Sequence, residues 1–292
     1  MNVKIPTPPG FDFRRTLYSH GWYSLPPFEP TEGGALLRVL DSAEGGEPFT
    51  VKVTDGAGSL KVNISRRLSK AERDGAVRDV RHVFRLDDEM AEFYAAVAGH
   101  EEFAWIARDG AGRLLRSPTV FEDLVKSICT TNCSWALTKK MVAALVRNLG
   151  REAADGRRAF PTPEAMAAET ERFFREVVRA GYRAPYLLEL AGRVSSGELR
   201  PEEWVSSGLS TAELKREMKR VKGVGDYAAE NLLKLLGRYD VLALDSWVRG
   251  KFAESRNRGR RCEDAKIARF YSRFGEWRGL ALWCDMTRDW FD

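Results

Sequence analysis

Long apolar runs are missing from this 292-residue sequence. None approaches the roughly 18–20 residues that a membrane-crossing helix needs. The opening MNVKIPTPPG holds no apolar stretch of the kind a secretory leader carries. Cysteine is scarce at four, and histidine scarcer at three. Four cysteines in so long a chain make no disulfide framework, and three histidines argue against a zinc site. A reducing, cytoplasmic setting without a membrane partner is therefore expected. Glycine (25) and proline (12) are present in ordinary numbers, so the chain is not fibrous. At 43% hydrophobic and 11% aromatic residues it is too apolar to be disordered. Positive charge is in slight excess: 47 Lys and Arg against 42 Asp and Glu leave +5. That permits a polyanion partner without demanding one. The length allows one large unit or two smaller ones, each able to bury a core.

The first third and the remainder differ in pattern. Residues 36–39, 49–53 and 60–64 are short runs of Val, Leu, Ile and Phe, the last two close to period-two alternation. Thr54-Asp55-Gly56-Ala57-Gly58 between them is hairpin chemistry. Residues 81–86, RHVFRL, are expected to add a segment at the sheet edge. From Asp87 the apolar spacing turns helical. It predicts helices over 88–98, 120–131, 135–149, 171–180, 185–195, 211–220, 226–236, 246–254, 263–274 and 278–289. Ser117-Pro118-Thr119 followed by Glu122 marks one helix start, and residues 161–163 punctuate. The expected fold class is α+β: a small N-terminal antiparallel sheet domain, 1–86, before a larger helical domain, 87–292.

The most informative stretch is Lys222-Gly223-Val224-Gly225-Asp226-Tyr227. A predicted helix carrying Leu214, Met218 and Val221 runs into it. Another, carrying Ala228, Ala229, Leu232 and Leu233, starts at once. Glycine commonly stops helices, and an ordinary corner is one reading. The other is a helix–hairpin–helix. Glycines on both sides of one apolar residue allow a tight turn with outward-pointing N–H groups beside a helix N-terminus, and such a site binds phosphate. Val224 then plugs the space between the helices. Asp245 lies twenty residues beyond Gly225, after the apolar run Val241–Leu244 and before a helical pattern. A carboxylate there caps a helix. Residues 244–261 hold six basic side chains, Arg249, Lys251, Arg256, Arg258, Arg260 and Arg261, against two acidic ones, a local charge of +4. Beside such a hairpin they read as phosphate contacts, with Arg249, Arg258 and Arg260 as the chief candidates.

Hairpin, loop and aspartate together resemble the motif of the helix–hairpin–helix DNA glycosylase superfamily. The loop Gly237-Arg238-Tyr239-Asp240 lacks the proline common there. Gly181-Tyr182-Arg183-Ala184 is similar to a segment of 8-oxoguanine DNA glycosylases, and residues 121–132, ending in Asn132, to their helix and Asn-bearing loop. The small sheet domain is similar to that of these enzymes and of bacterial 3-methyladenine glycosylases. The resemblance covers nearly the whole chain.

It implies a base-excision enzyme that flips a damaged purine out of double-stranded DNA and hydrolyses its bond to the sugar. Asp245 becomes the catalytic carboxylate. Asn132 fills the vacated space, Tyr182 wedges beside the opposite strand and Arg183 meets the orphaned base. Lys222, Gly223, Val224 and Gly225 hold the DNA backbone, and carbonyls of Lys222, Gly223 and Gly225 are candidates for a bound Na⁺ or K⁺. Tyr227, Asn231 and Trp247 are pocket candidates, and Tyr227 packed against Trp247 is the plainer alternative. Trp22 and Tyr23 suit pocket or core equally. Strand-cleaving members carry a Schiff-base lysine two residues after the second hairpin glycine. Here that position is Tyr227, which implies a monofunctional enzyme. Gly-Tyr-Arg-Ala points to oxidised purines and Tyr227 to alkylated ones. Asn231 replaces the cysteine of eukaryotic-type 8-oxoguanine enzymes. Cys129, Cys133, Cys262 and Cys284 lack the tight spacing of an iron–sulfur cluster. The chain is expected to act as a monomer. A non-catalytic DNA-holding module and a bifunctional lyase are the alternatives.

Overall fold

The computed structural model describes residues 1–42 and 45–291. Five strands, β1 (Asn2–Pro6), β2 (Glu29–Pro30), β3 (Leu36–Leu40), β4 (Phe49–Gly56) and β5 (Ser59–Ile64), form one antiparallel sheet in the order β1-β5-β4-β3-β2. The period-two pattern has its expected consequence in β5, where Leu60, Val62 and Ile64 are buried and Lys61 and Asn63 exposed. The hairpin is tighter than predicted. β4 continues through Thr54-Asp55-Gly56, Gly56 pairs with Ser59, and only Ala57-Gly58 turns, with Gly58 at φ +65°. β1 was not anticipated. It pairs with β5 from Asn2 opposite Asn63 to Pro6 opposite Ser59, and its proline is tolerated because the strand is an edge.

The helices are α1 (Phe13–Leu17), α2 (Lys70–Val83), α3 (Ala91–Ala98), α4 (Ala104–Arg108), α5 (Val120–Thr130), α6 (Trp135–Leu149), α7 (Pro163–Ala167), α8 (Glu171–Glu176), α9 (Ala184–Ser195), α10 (Thr211–Met218), α11 (Asp226–Leu235), α12 (Ser246–Arg256), α13 (Asp264–Tyr271) and α14 (Arg278–Met286). Residues 81–86 correct the sequence reading: they finish α2 and its cap instead of edging the sheet. Ser69 and Glu72 form a reciprocal capping box that starts the helix, and Ala76, Val80 and Val83 give it a buried stripe at helical spacing. Six residues were too short a window to reveal that period. A second correction is α7, which starts at one of the punctuating prolines: Thr162 caps it and Pro163 takes the first turn, where no N–H is needed.

The apolar core runs through both halves, from Ile5 of the sheet to Met286 of α14. α5 is its axis, with every residue from Val120 to Cys129 buried, charged ones included. Arg38 from β3 meets Glu122 at 2.6 Å, and Lys126 meets the same carboxylate at 2.6 Å. Burial acts to raise the Glu122 pKa, but the two cations hold it below the ordinary value. Removing one member would strand the others. The hairpin helix is anchored from the same side: buried Arg85 and Arg116 both donate to the Leu235 carbonyl, at 2.6 and 3.2 Å, at the negative end of α11.

Candidate active site

The Gly-Val-Gly turn links α10 to α11 as the spacing predicts. Val224 is buried, and its N–H closes the turn on the Val221 carbonyl at 3.0 Å. That amide is therefore directed into the turn and not outward. Gly223 sits at φ +87°, and a Cβ there would lie 2.8 Å from the Tyr186 ring. Gly225 begins α11 with no side chain capping it, so backbone amides of the first turn lack that partner. Asp226, an anion at this end, is matched by Lys215 and Lys219, each at 3.0 Å.

Asp245 is both a helix cap and a cavity residue. Its Oδ1 accepts the Val248 N–H at 2.7 Å, which leaves Oδ2 outside that bond. Ala243, two residues earlier, adopts φ +49°, and Gly279 of α14 donates to the Tyr239 carbonyl at 2.7 Å, so the approach to Asp245 is held in a strained, packed turn. A cavity of about 1170 Å³ opens in front of it. The walls include Asn132, Tyr182, Tyr227, Asn231, Trp247, Gly223, Gly225 and Arg249, which the sequence had singled out from four separate segments. Burial pushes the Tyr227 phenol up to about 12, and the adjacent Asp245 charge adds to the shift. Asn231 donates its amide to the Tyr227 carbonyl at 2.9 Å.

Asn132 and Tyr182 meet at the cavity mouth. Asn132 is exposed at φ +45°, a conformation asparagine tolerates, and its amide lies 3.4 Å from the Tyr182 hydroxyl. Tyr182 is 47% exposed. Arg183 departs from its predicted placement. It is buried, donates to both the carbonyl and the hydroxyl of Thr131, and lies against the Tyr182 ring. Its fork holds the Asn132 loop and is not presented at the surface.

The basic run is also less free than its charge suggests. Arg249 pairs with Asp264, Lys251 with Asp289 and Arg256 with Asp285. All three acids lie beyond residue 261 in sequence, so a window count missed them. Among the described residues Arg258, Arg260 and Arg261 are exposed and have no ion-pair partner. Lys222 pairs with Glu189 at 2.6 Å.

Aromatic walls were largely unforeseen. Trp22 serves core and pocket together: it is buried, donates to Asp123 at 2.7 Å and lines the cavity, as do Tyr18, Tyr23, Trp135 and Trp283. Trp247 packs on Trp283 and Trp290, at 5.9 and 5.8 Å between ring centres, and not on Tyr227. The aromatic content was visible in the sequence, but convergence from the first and last fifty residues was not. His20 also faces the cavity. Burial and the nearby Lys234 and Lys126 charges hold its pKa well below the ordinary value, so the ring is neutral. No cluster of three or more His, Cys, Asp or Glu suited to a metal occurs among the described residues. No described helix is long and apolar enough to cross a membrane.

No protein-family model matches the chain. A curated relative, the "Probable N-glycosylase/DNA lyase" of Methanothermobacter thermautotrophicus, is 24% identical over 290 residues, covering 91% of this chain and 89% of its own. The 3-methyladenine DNA glycosylase of Archaeoglobus fulgidus superposes with a TM-score of 0.77 at 21% identity, over 99% of both chains. The 8-oxoguanine glycosylase/lyase of Clostridium acetobutylicum gives 0.75 at 22% identity, over 98% of this chain and 95% of that one. With the hairpin, the aspartate beyond it and the sheet in front all in place, the chain has the fold of these solved DNA glycosylases.

Proposed function

We propose that the chain is a monofunctional DNA glycosylase that takes a flipped purine lesion into the 1170 Å³ cavity and hydrolyses its N-glycosidic bond. One observation carries this reading: Asp245, held by the Val248 amide, shares its cavity with Asn132 and Tyr182. Bond cleavage leaves an oxocarbenium-like sugar. A fixed carboxylate stabilises that charge and orients the attacking water. Exposed side chains of Asn132 and Tyr182 beside the cavity suit the filling of the vacated stack. The uncapped first-turn amides of α11, with Arg258 and Arg260, take the phosphates.

Tyr227 at the lysine position supports hydrolysis without strand cleavage. No lysine lines the cavity among the described residues. The Methanothermobacter relative carries lyase in its name, which keeps the bifunctional alternative in view. Borohydride reduction during turnover on a lesion-bearing duplex separates the two. The expected result is base release with no covalent protein–DNA product, and a robust adduct overturns the monofunctional reading. Failure to release 8-oxoguanine, 3-methyladenine, 7-methylguanine, hypoxanthine and uracil, with DNA binding intact, overturns the enzyme reading in favour of a binding module.

A monovalent cation on the carbonyls of Lys222, Gly223 and Gly225 is part of this proposal. The Gly225 carbonyl accepts the Ala229 N–H at 3.0 Å and retains its second lone pair. DNA affinity compared in K⁺, Na⁺ and tetramethylammonium salts at one ionic strength tests it. Equal affinity in all three removes the cation.

A further inference from the structure

Lys234 is a buried cation that the proposed chemistry does not use. It lies two helical turns after Tyr227 on α11 and is 3% exposed. Among the described residues no carboxylate is bonded to it. Its Nζ donates to the Asn231 Oδ1 at 3.1 Å and sits 3.6 Å from the centre of the Trp283 ring. Asn231 and Trp283 both line the cavity. The amine thus stands directly behind two walls of the pocket.

Two consequences follow for whatever base enters. A cation on one face of an indole draws on the ring quadrupole, so a second cation stacked on the same ring is disfavoured. Two like charges across one buried ring also repel at low dielectric. Asn231 is fixed in the complementary sense. Its Oδ1 accepts from Lys234 and one Nδ2 hydrogen goes to the Tyr227 carbonyl, which leaves one amide N–H for an acceptor.

We propose that Lys234 is a specificity-determining residue, biasing the cavity towards uncharged purine lesions with a carbonyl edge and against cationic N-alkylpurines. The inference rests on the glycosylase reading and adds to it the charge class of the base. Burial brings the Lys234 amine down to about 7, against the upward pull of Asp245, Cys284 and Glu230. Those groups come from the start of α12, from α14 and from α11 itself. His20, which also feels the Lys234 charge, is neutral. The charge on Lys234 is therefore present below about pH 7 and lost above it.

The test measures release of hypoxanthine and 8-oxoguanine, which are neutral, and of 3-methyladenine, which is cationic in DNA, from duplexes between pH 6 and 8. The native protein is expected to favour the neutral bases at pH 6, with the neutral-to-cationic ratio falling about tenfold by pH 8. Lys234→Met, close in volume and uncharged, is expected to show the high-pH ratio throughout. A ratio independent of pH in the native protein overturns the proposal, and that series decides the matter even where the variant does not fold. An unchanged ratio in folded Lys234→Met overturns it as well. Release of no base at all sinks the glycosylase reading and this one with it, whereas release with a flat ratio sinks this one alone.

Discussion

Asp245 accepts the Val248 N–H at 2.7 Å, so the residue proposed to meet the sugar cation also starts the helix that carries it. The bond establishes the cap, and the second carboxylate oxygen lies outside it.

Substitution separates capping from catalysis. Asparagine caps helices about as well as aspartate, while alanine costs about 1 kcal/mol at a cap. Asp245→Asn is expected to keep the native melting temperature and lose at least about a hundredfold in single-turnover base release. Asp245→Ala is expected to lose both. Near-native release by Asp245→Asn removes the catalytic role.

Arg183 supports the Asn132 loop through Thr131, and a guanidinium fork is not replaced by an ammonium. Arg183→Lys is expected to misplace Asn132 and slow base release by about ten- to a hundredfold. Binding to undamaged duplex should be unchanged, because the hairpin is untouched. A parallel loss of both would assign Arg183 to the phosphate surface instead.

Exposed and paired arginines should differ in their salt signature. Arg258→Glu with Arg260→Glu is expected to weaken DNA binding and lower the slope of log affinity against log salt by about 2. Arg249→Gln should lower it by less, since Asp264 already holds that guanidinium. Equal slopes for native protein and double variant would place the DNA elsewhere.

Gly279 is packed so closely on the Asp245 approach that a Cβ would fall within the Val241 carbonyl. Backbone, unlike a flexible side chain, has nowhere to go. Gly279→Ala is expected to lower the melting temperature by several degrees and to reduce base release. Thermal unfolding and single-turnover kinetics check both, and a native-like variant would show that this turn does not set Asp245.

Helix periods, the Gly-Val-Gly turn and the spacing to Asp245 are local properties, and the chain alone determined them. α6 has the very limits its apolar spacing predicts, and α11 and α12 depart from theirs by no more than two residues. The same holds for the hairpin of β4 and β5, joined by a short turn, whereas the edge strands β1 and β2 carry no such local signal. Only the tertiary structure decided which charges are free and which rings share a wall. Asp264, Asp285 and Asp289 neutralise half of the basic run from a distance in sequence that no window spans. Arg183 turns inward because Thr131 lies beside it, 52 residues away in sequence. Nothing in the sequence sets Lys234 apart from other helix lysines. Folding placed it under Trp283, out of water, and burial then gave its charge a consequence that sequence position does not carry.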